Sequence, residues 1–252
     1  MLHSTVRAAI GCAAFACAMS FLHADTNSFS ARAERAYALA QHAVRKDPTN
    51  DAATIHLSRA AFDWAEFARD DDSRAEIAER GIDAARIVIK RQPTNGAAQY
   101  WLGMNLGQLA RTRSLGALRL VREMEEAFHR ARTLDERTDY AGPDRSLGYL
   151  YRDAPGWPTS VGNKKKSHEH FERAVQLHPE FPDNQLGLLE SFDKWGDKRS
   201  FARQLTITEK IISEARGKFT GAAWDSSWAD WNKRFAEMKR AAGKSASNKV
   251  GK

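Results

Sequence analysis

Residues 81–93, with the sequence GIDAARIVIKRQP, carry the pattern that decides the fold. Gly81, Ala85 and Val88 are spaced four and then three residues apart, so they lie on one face of a helix. Small residues on that face let a second helix approach closely. Pro93 follows and ends the helix. The stretch therefore predicts a helix that packs on a close neighbour before the chain turns back.

The same pattern occurs in three other segments, and successive starts are 45, 43 and 43 residues apart. These segments read Ala36-xxx-Ala40-xx-Ala43-xxxx-Pro48, Met124-xxx-Phe128-xx-Ala131-xxxx-Glu136 and Ser167-xxx-Phe171-xx-Ala174-xxxx-Pro179. A leucine and a small residue follow each one, in the pairs Leu57-Ser58, Leu102-Gly103, Leu147-Gly148 and Leu186-Gly187. One hairpin cannot bury its apolar face alone, so the repeat predicts an all-α stack of helix-turn-helix hairpins with a period of about 43–45 residues.

The last apolar pattern of the chain consists of aromatic residues and a methionine. They are spaced four, three, four and three residues apart, at Trp224, Trp228, Trp231, Phe235 and Met238. This spacing predicts an apolar seam along a final helix. We interpret the helix as a C-terminal cap on the last hairpin. An exposed aromatic surface for a partner is the alternative.

The amino-terminal residues 1–24 have the layout of a signal peptide. One basic residue precedes an apolar run over 8–22, and Ala24 offers a cleavage position. The run is short for a membrane span of about 20 residues, so we predict export to the periplasm or the medium, with no transmembrane span after cleavage. A lipid-anchored cysteine at Cys12 or Cys17 is the less favoured alternative. These are the only cysteines, so the mature chain has none and forms no disulfide.

The net charge of +7 is concentrated near the carboxyl end, where residues 239–252 contain five basic residues and no acidic one. We predict a helical repeat domain over 25–241 and a disordered basic tail over 242–252. The remaining body is nearly neutral. It lacks the excess of basic residues that duplex binding requires, so no nucleic-acid partner is expected.

The sequence contains none of the common catalytic or metal-binding motifs, such as HExxH, an EF-hand loop, GxSxG or a dinucleotide-binding glycine pattern. The segment 156–164 comes nearest to a P-loop, but its lysine does not directly follow the second glycine. His168 and His170 are two residues apart and so lie on different faces of a helix. We therefore predict a protein without enzymatic activity, cofactor or metal.

The repeated pattern resembles the tetratricopeptide repeat (TPR), whose period is about 34 residues. The extra residues here fall within the hairpins, at 69–74 and 112–119. The segments 99–103 (QYWLG), 124–128 (MEEAF) and 147–151 (LGYLY) resemble the helical domain of the regulator of microtubule dynamics proteins. The loop 155–162 (PGWPTSVG), followed by 171–174 (FERA), is similar to that family and to the T-component of bacterial TRAP transporters.

The resemblance implies a TPR-like right-handed α-solenoid that binds a partner and catalyses nothing. If the family geometry is kept, the first helix of each hairpin lines a groove. The register of the Leu-small pairs then places eight residues there: Arg59, Asp63, Tyr100, Met104, Gln108, Arg145, Tyr149 and Arg152. Trp157, on the Pro- and Gly-rich loop 155–162, is either a further recognition residue or packs against adjacent helices.

Two functions follow from these expectations. The first is an exported scaffold that binds a peptide or protein of the cell envelope and does not catalyse a reaction. The alternative is a small-molecule-binding accessory subunit of a TRAP-type transport system, which requires an enclosed pocket instead of an open groove.

Overall fold

The computed structural model describes residues 22–113 and 116–250, and within these ranges it contains ten α-helices. In chain order they are α1 Leu22–Lys46, α2 Asp51–Ala65, α3 Asp71–Arg91, α4 Gly96–Arg111, α5 Ala117–Leu134, α6 Thr138–Asp153, α7 Lys164–Leu177, α8 Pro182–Lys194, α9 Lys198–Ala215 and α10 Asp225–Val250. A short 3-10 turn, Ala222–Trp224, precedes α10. The all-α prediction is confirmed.

The helices after α1 pair in sequence as the hairpins α2/α3, α4/α5, α6/α7 and α8/α9, and α10 follows them. The chain forms two compact units. Unit 1 consists of the described residues up to Thr138 and the loop from Asp153 to Asn163, and unit 2 consists of residues 139–152 and the described residues from Lys164 onward. Asparagine or aspartate side chains cap several of the helices. Asn50, Asn95 and Asp197 each accept a hydrogen bond from the backbone N–H three residues later.

The small residues of the repeat lie at contacts between the helices of unit 1. Gly81, Ala85 and Val88 are buried, as predicted. The Ser58 hydroxyl donates a 2.8 Å hydrogen bond to the Gly81 carbonyl oxygen. In the next hairpin the ring of Phe128 lies so close to Gly103 that a Cβ on the glycine would overlap it. The small residues therefore admit a neighbouring helix or ring, as the spacing implies.

The first copy of the pattern is packed differently from the other three. Ala36 and Ala43 are exposed, and the intervening Leu39 is 64% exposed. In the later copies this face packs against the first helix of the same hairpin, as in the hydrogen bonds between Ser58 and Gly81 and between Ser167 and Gly148. α1 instead uses a neighbouring face, from which Tyr37 contacts α2 with its ring 4.9 Å from that of Trp64. Ala40 of the same stripe is buried, but the prediction that Ala36 and Ala43 are buried was wrong.

Unit 2 has an aromatic core that α10 helps to form. The ring of Phe171 fills the space between Gly148 and Gly187. Trp231, only 3% exposed, packs edge-on against Phe181 at 5.4 Å. The indole N–H of Trp228 donates a 2.7 Å hydrogen bond to the Phe219 carbonyl oxygen. The aromatic seam of α10 is thus packed into unit 2, and its interpretation as a capping helix is confirmed.

The first turn of α6 contains three consecutive residues with left-handed backbone angles, Asp139, Tyr140 and Ala141, at φ between 50° and 63°. Such residues cost about 1–2 kcal/mol each when they are not glycine. Two side chains hold the turn in place. Arg145 donates to the Asp139 and Tyr140 carbonyl oxygens, both at 3.1 Å, and the Asn184 amide donates to that of Tyr140.

The two ends of the chain were predicted to be a signal peptide, residues 1–24, and a disordered tail, residues 242–252. Residues 1–21 of the predicted signal peptide lie outside the described residues, and α1 begins at Leu22. Helix α10 continues to Val250, through most of the segment 242–252 for which the composition predicted disorder. No proline interrupts the helix there. Among the described residues, no helix combines the length and apolarity needed to cross a membrane.

Candidate partner-binding surfaces

The first candidate surface lies in unit 1 on α2 and α4, and we call it the α2–α4 surface. Arg59 and Asp63 are one helical turn apart on α2, with their side chains 55% and 49% exposed and 3.9 Å between Nε and Oδ2. The Arg59 guanidinium lies over the ring of Trp101, on α4, at 5.4 Å. Met104 of α4 is half-buried. This surface therefore presents both signs of charge above the ring of Trp101, which is itself buried.

A polar cluster extends the α2–α4 surface past the end of α2. The Gln108 side-chain amide donates a 2.5 Å hydrogen bond to Glu66. Arg111 forms a 3.1 Å ion pair with the same carboxylate and also donates to the Gln108 side-chain oxygen. These contacts join the end of α2 to α4 and hold Glu66 and Arg111 at the edge of the α2–α4 surface. The sequence analysis missed both residues, although each lies about one turn from a predicted groove residue.

Two of the predicted groove residues in unit 1 are in fact buried. Tyr100 is fully buried and lies beside Trp101 and Phe128, with ring centroids 4.9 and 6.1 Å away. Tyr100 precedes Gly103 by three residues, so both face the interior of the hairpin. Gln108 is also buried, at 2% exposure. The prediction that Tyr100 and Gln108 face a partner was therefore wrong.

The loop that carries Trp157 is a second exposed feature of unit 1. Trp157 is 89% exposed, so its interpretation as a packing residue is contradicted. Backbone contacts close the loop beneath it, because the Gly162 N–H donates to the Pro155 carbonyl oxygen at 2.9 Å. A Cβ on Gly162 would overlap the Ala154 carbonyl oxygen. Glycine at this position thus allows a closed loop with an aromatic side chain at its tip.

In unit 2 the predicted groove residues Arg145, Tyr149 and Arg152 are largely buried in an ionic network. Arg145 pairs with Asp139 at 2.7 Å and with Asp183 at 3.0 Å. Arg152 pairs with Glu190 at 3.2 Å, and their side chains are only 13% and 17% exposed. The Arg152 guanidinium also lies over the ring of Tyr149 at 4.8 Å. The structure brings these three residues together, but around groups of the chain itself.

The centre of this network is Arg234 of α10. Its Nε and Nη2 form a fork with the two carboxylate oxygens of Glu190, at 2.6 and 3.1 Å. Nη1 donates to Asp183 at 2.6 Å and to Asp230 at 3.1 Å, and Nη2 also donates to the Tyr149 hydroxyl at 2.5 Å. An arginine has five N–H donors. The five contacts match that number, and we call Tyr149, Asp183 and Glu190 the guanidinium cage.

The charges in the cage shift the ionisation of its members. Burial by itself raises the pKa of the Asp183 carboxyl, but the nearby charges of Arg234 and Arg145 outweigh it, so that pKa lies below the usual value. Burial also raises the pKa of the Tyr149 phenol well above its ordinary value. Its hydroxyl therefore stays protonated, donating to Asp183 at 3.2 Å while it accepts from Arg234.

The sequence analysis missed Asp183, Glu190 and Arg234. A signal for the two acids was available, because they are seven residues apart and lie on one face of α8. Arg234 follows Trp231 by three residues and so lies beside the aromatic seam of α10. The spacing of residues along the sequence does not indicate that α8 and α10 are in contact.

The predicted absence of a metal site can be compared with the histidine positions. His170 lies with Nδ1 2.7 Å from the buried Asp144 carboxylate, and its ring stacks on Tyr151 at 5.5 Å. His168, two residues earlier, lies on a different face of α7, with its Nε2 3.5 Å from the Glu172 carboxylate. In the part of the chain that the structure describes, no three metal-binding side chains come together.

Comparison with known proteins extends these observations. The model of one family, described as regulator of microtubule dynamics protein 1-3, matches residues 21–140. No curated protein matches the chain. Among solved structures, a thermophilic TPR protein of Thermus thermophilus has a TM-score of 0.59 and 16% sequence identity. That comparison covers 82% of this chain and 91% of the other. The fold is TPR-like.

The match to the family model and the TPR-like solved structure confirm the resemblance to TPR-like proteins that the repeats predicted. Because helical repeats serve many tasks, the partner has to be inferred from the surfaces.

Proposed function

We propose that the protein is an exported, non-enzymatic scaffold that binds a peptide or protein of the cell envelope through the α2–α4 surface. One observation carries this proposal. The charged residues Arg59 and Asp63 of the α2–α4 surface are half-exposed, whereas arginines at predicted groove positions in unit 2 are buried against the chain's own carboxylates.

The chemistry of the α2–α4 surface suits a peptide segment with both polar and apolar side chains. Arg59 and Asp63 offer a donor and an acceptor within one helical turn. The Trp101 ring lies next to Arg59, and Met104 is a flexible apolar side chain that adapts to different partners. On the loop 155–162, Trp157 exposes an aromatic side chain of the kind that is enriched at the centres of protein interfaces.

The partner is tested by crosslinking in intact cells, affinity purification and mass spectrometry. The test variant exchanges the charges of the exposed pair, R59D/D63R. The control exchanges another exposed pair one turn apart on α9, K210E/E214K. We expect the test variant to lose the captured protein, the control to keep it, and both to retain wild-type helical content and melting temperature.

A captured protein that is unaffected by R59D/D63R would refute the assignment of the α2–α4 surface. A small molecule that co-purifies reproducibly in place of any protein would favour the alternative, a solute-binding accessory subunit.

Export is tested separately, by cell fractionation and amino-terminal sequencing of the purified protein. The layout of residues 1–24 supports cleavage after Ala24, which gives a mature chain that begins at Asp25 in the periplasm or the medium. A protein that retains Met1 and stays with the cytosolic fraction would refute export and leave the partner test unaffected.

A further inference from the structure

Helix α10 is held on unit 2 by polar contacts that use all five N–H donors of Arg234. The guanidinium cage supplies four acceptors to Arg234: both oxygens of Glu190, one of Asp183 and the Tyr149 hydroxyl. A second layer orients the cage, because Arg145 pairs with Asp183 and Arg152 pairs with Glu190. The cage is therefore shaped for a guanidinium and is not a diffuse acidic patch.

The position of the cage matters as much as its chemistry. Tyr149 belongs to α6, while Asp183 and Glu190 belong to α8, and these are the first helices of the two hairpins in unit 2. First helices carry the predicted groove, and in unit 1 the corresponding surface is open. Helix α10 thus occupies, within unit 2, the kind of surface on which the proposed function places a partner.

Aromatic residues of α10 provide the second half of the contact. Trp231 lies one turn before Arg234, Phe235 directly follows it, and both rings are buried in the core of unit 2. Trp231 packs on Phe181, which borders α8, with the ring centroids 5.4 Å apart. Any helix that replaced α10 would have to fill the same apolar space and supply the same guanidinium.

We propose that α10 is an autoinhibitory helix. It covers a surface of α6 and α8 within its own chain. When α10 leaves, the same surface accepts an amphipathic helix of a partner protein, and that helix carries an arginine next to aromatic residues that become buried. This inference rests on the proposed function in one respect, namely that the first helices of the hairpins form the binding surface. Its test uses no cellular partner and no residue of the α2–α4 surface, so it fails or succeeds independently.

The test uses the full chain, its R234Q variant and a labelled synthetic peptide of residues 225–243. The control variant is R240Q, which makes the same change at an exposed position of the same helix. Binding is followed by fluorescence anisotropy. We expect the R234Q chain to bind the peptide, and the wild-type and R240Q chains to bind it at least about tenfold more weakly, because a tethered α10 competes at a high effective concentration.

A second peptide separates recognition of the guanidinium from adhesion of the aromatic residues. The peptide that itself carries R234Q should bind the R234Q chain about tenfold more weakly than the native peptide, since it leaves the cage carboxylates unpaired. Equal binding of the two peptides would overturn the role of the cage. Failure of the R234Q chain to bind the native peptide would overturn the proposal.

Hydrogen exchange of the wild-type chain decides the question if R234Q does not fold. Amides of α10 that exchange well before those of α8 would establish that α10 opens on its own and would support the proposal. Exchange of α10 and α8 together, through unfolding of unit 2 as a whole, would establish that α10 is an integral part of the fold and would overturn it.

Discussion

The α2–α4 surface and the guanidinium cage use the same kinds of side chain at related positions of first helices, with different outcomes. In unit 1, Arg59 and Asp63 are about half exposed, with 3.9 Å between their charged groups. In unit 2, Arg152 and Glu190 are largely buried, and Glu190 holds Arg234 at 2.6 Å. The difference comes from α10, which covers one surface and contributes an arginine to it.

This comparison teaches that charge at a groove position does not by itself indicate a free binding surface. An exposed ion pair contributes about 0–1 kcal/mol to stability, because water competes for both partners. Removing one member of a buried pair costs about 3–5 kcal/mol, because the other charge is left without a partner. The following predictions use that contrast.

The largest effect is expected from removing a carboxylate at the centre of the cage. Asp183→Ala leaves both Arg145 and Arg234 short of an acceptor, so the free energy of unfolding of unit 2 should fall by about 3 kcal/mol. Asp63→Ala in unit 1 is the matched control and should cost less than about 1 kcal/mol. Urea denaturation measures both values. An equal loss of unfolding free energy in the two variants would contradict the difference in burial between the guanidinium cage and the α2–α4 surface.

The next effect should be the same in both units, because both use a glycine beneath an aromatic ring. A Cβ at Gly103 would overlap Phe128, and a Cβ at Gly187 would overlap Phe171. We expect Gly103→Ala and Gly187→Ala each to destabilise the protein by about 1–3 kcal/mol through overpacking. Thermal unfolding measures both. A neutral result in only one unit would indicate that its ring can move aside, and that the hairpins are not equivalent.

Acidification should weaken the cage. The pKa of Asp183 is lowered in the folded state from its ordinary value of 3.8, so its contribution to stability is present above that pH and is lost as pH falls through the lowered value. The melting temperature should therefore fall more steeply below about pH 4 in the wild-type chain than in an Asp183→Asn variant. Parallel pH profiles for the two chains would contradict a role of this carboxylate.

The smallest effect is expected at the tip of the loop in unit 1. Trp157 is 89% exposed and buries little surface in the folded chain. Trp157→Ala should change the free energy of unfolding by no more than about 0.5 kcal/mol, as is usual for surface substitutions. Trp231→Ala, which removes a buried ring from unit 2, is the contrasting variant. Comparable destabilisation by the two substitutions would show that Trp157 packs in solution.

Most of the secondary structure could be predicted from spacing alone. The stripe of Gly81, Ala85 and Val88 is buried as expected, and so are the small residues Ser58 and Gly103 that follow leucine. These predictions succeed because residues three and four apart share a helix face whatever the helix packs against. In the first copy only the central residue, Ala40, is buried, because α1 turns the neighbouring face with Tyr37 toward α2.

The candidate site was less predictable than the fold. The register of the Leu-small pairs placed Arg59, Asp63 and Tyr100 on one groove. Arg59 and Asp63 are about half exposed, whereas Tyr100 is fully buried. A register fixes only the angle of a side chain around its own helix. Whether that direction ends in solvent depends on the next helix in space.

The sequence by itself determined the helical hairpins, their period, the small residues at the crossings and the aromatic seam of the last helix, because these depend on local spacing. Only the tertiary structure decided that Arg234 of α10 meets Tyr149, 85 residues away, in a cage of carboxylates. It also decided that the corresponding surface of α2 and α4 remains open. A contact across that separation is selected by the packing of whole helices, which no local pattern encodes.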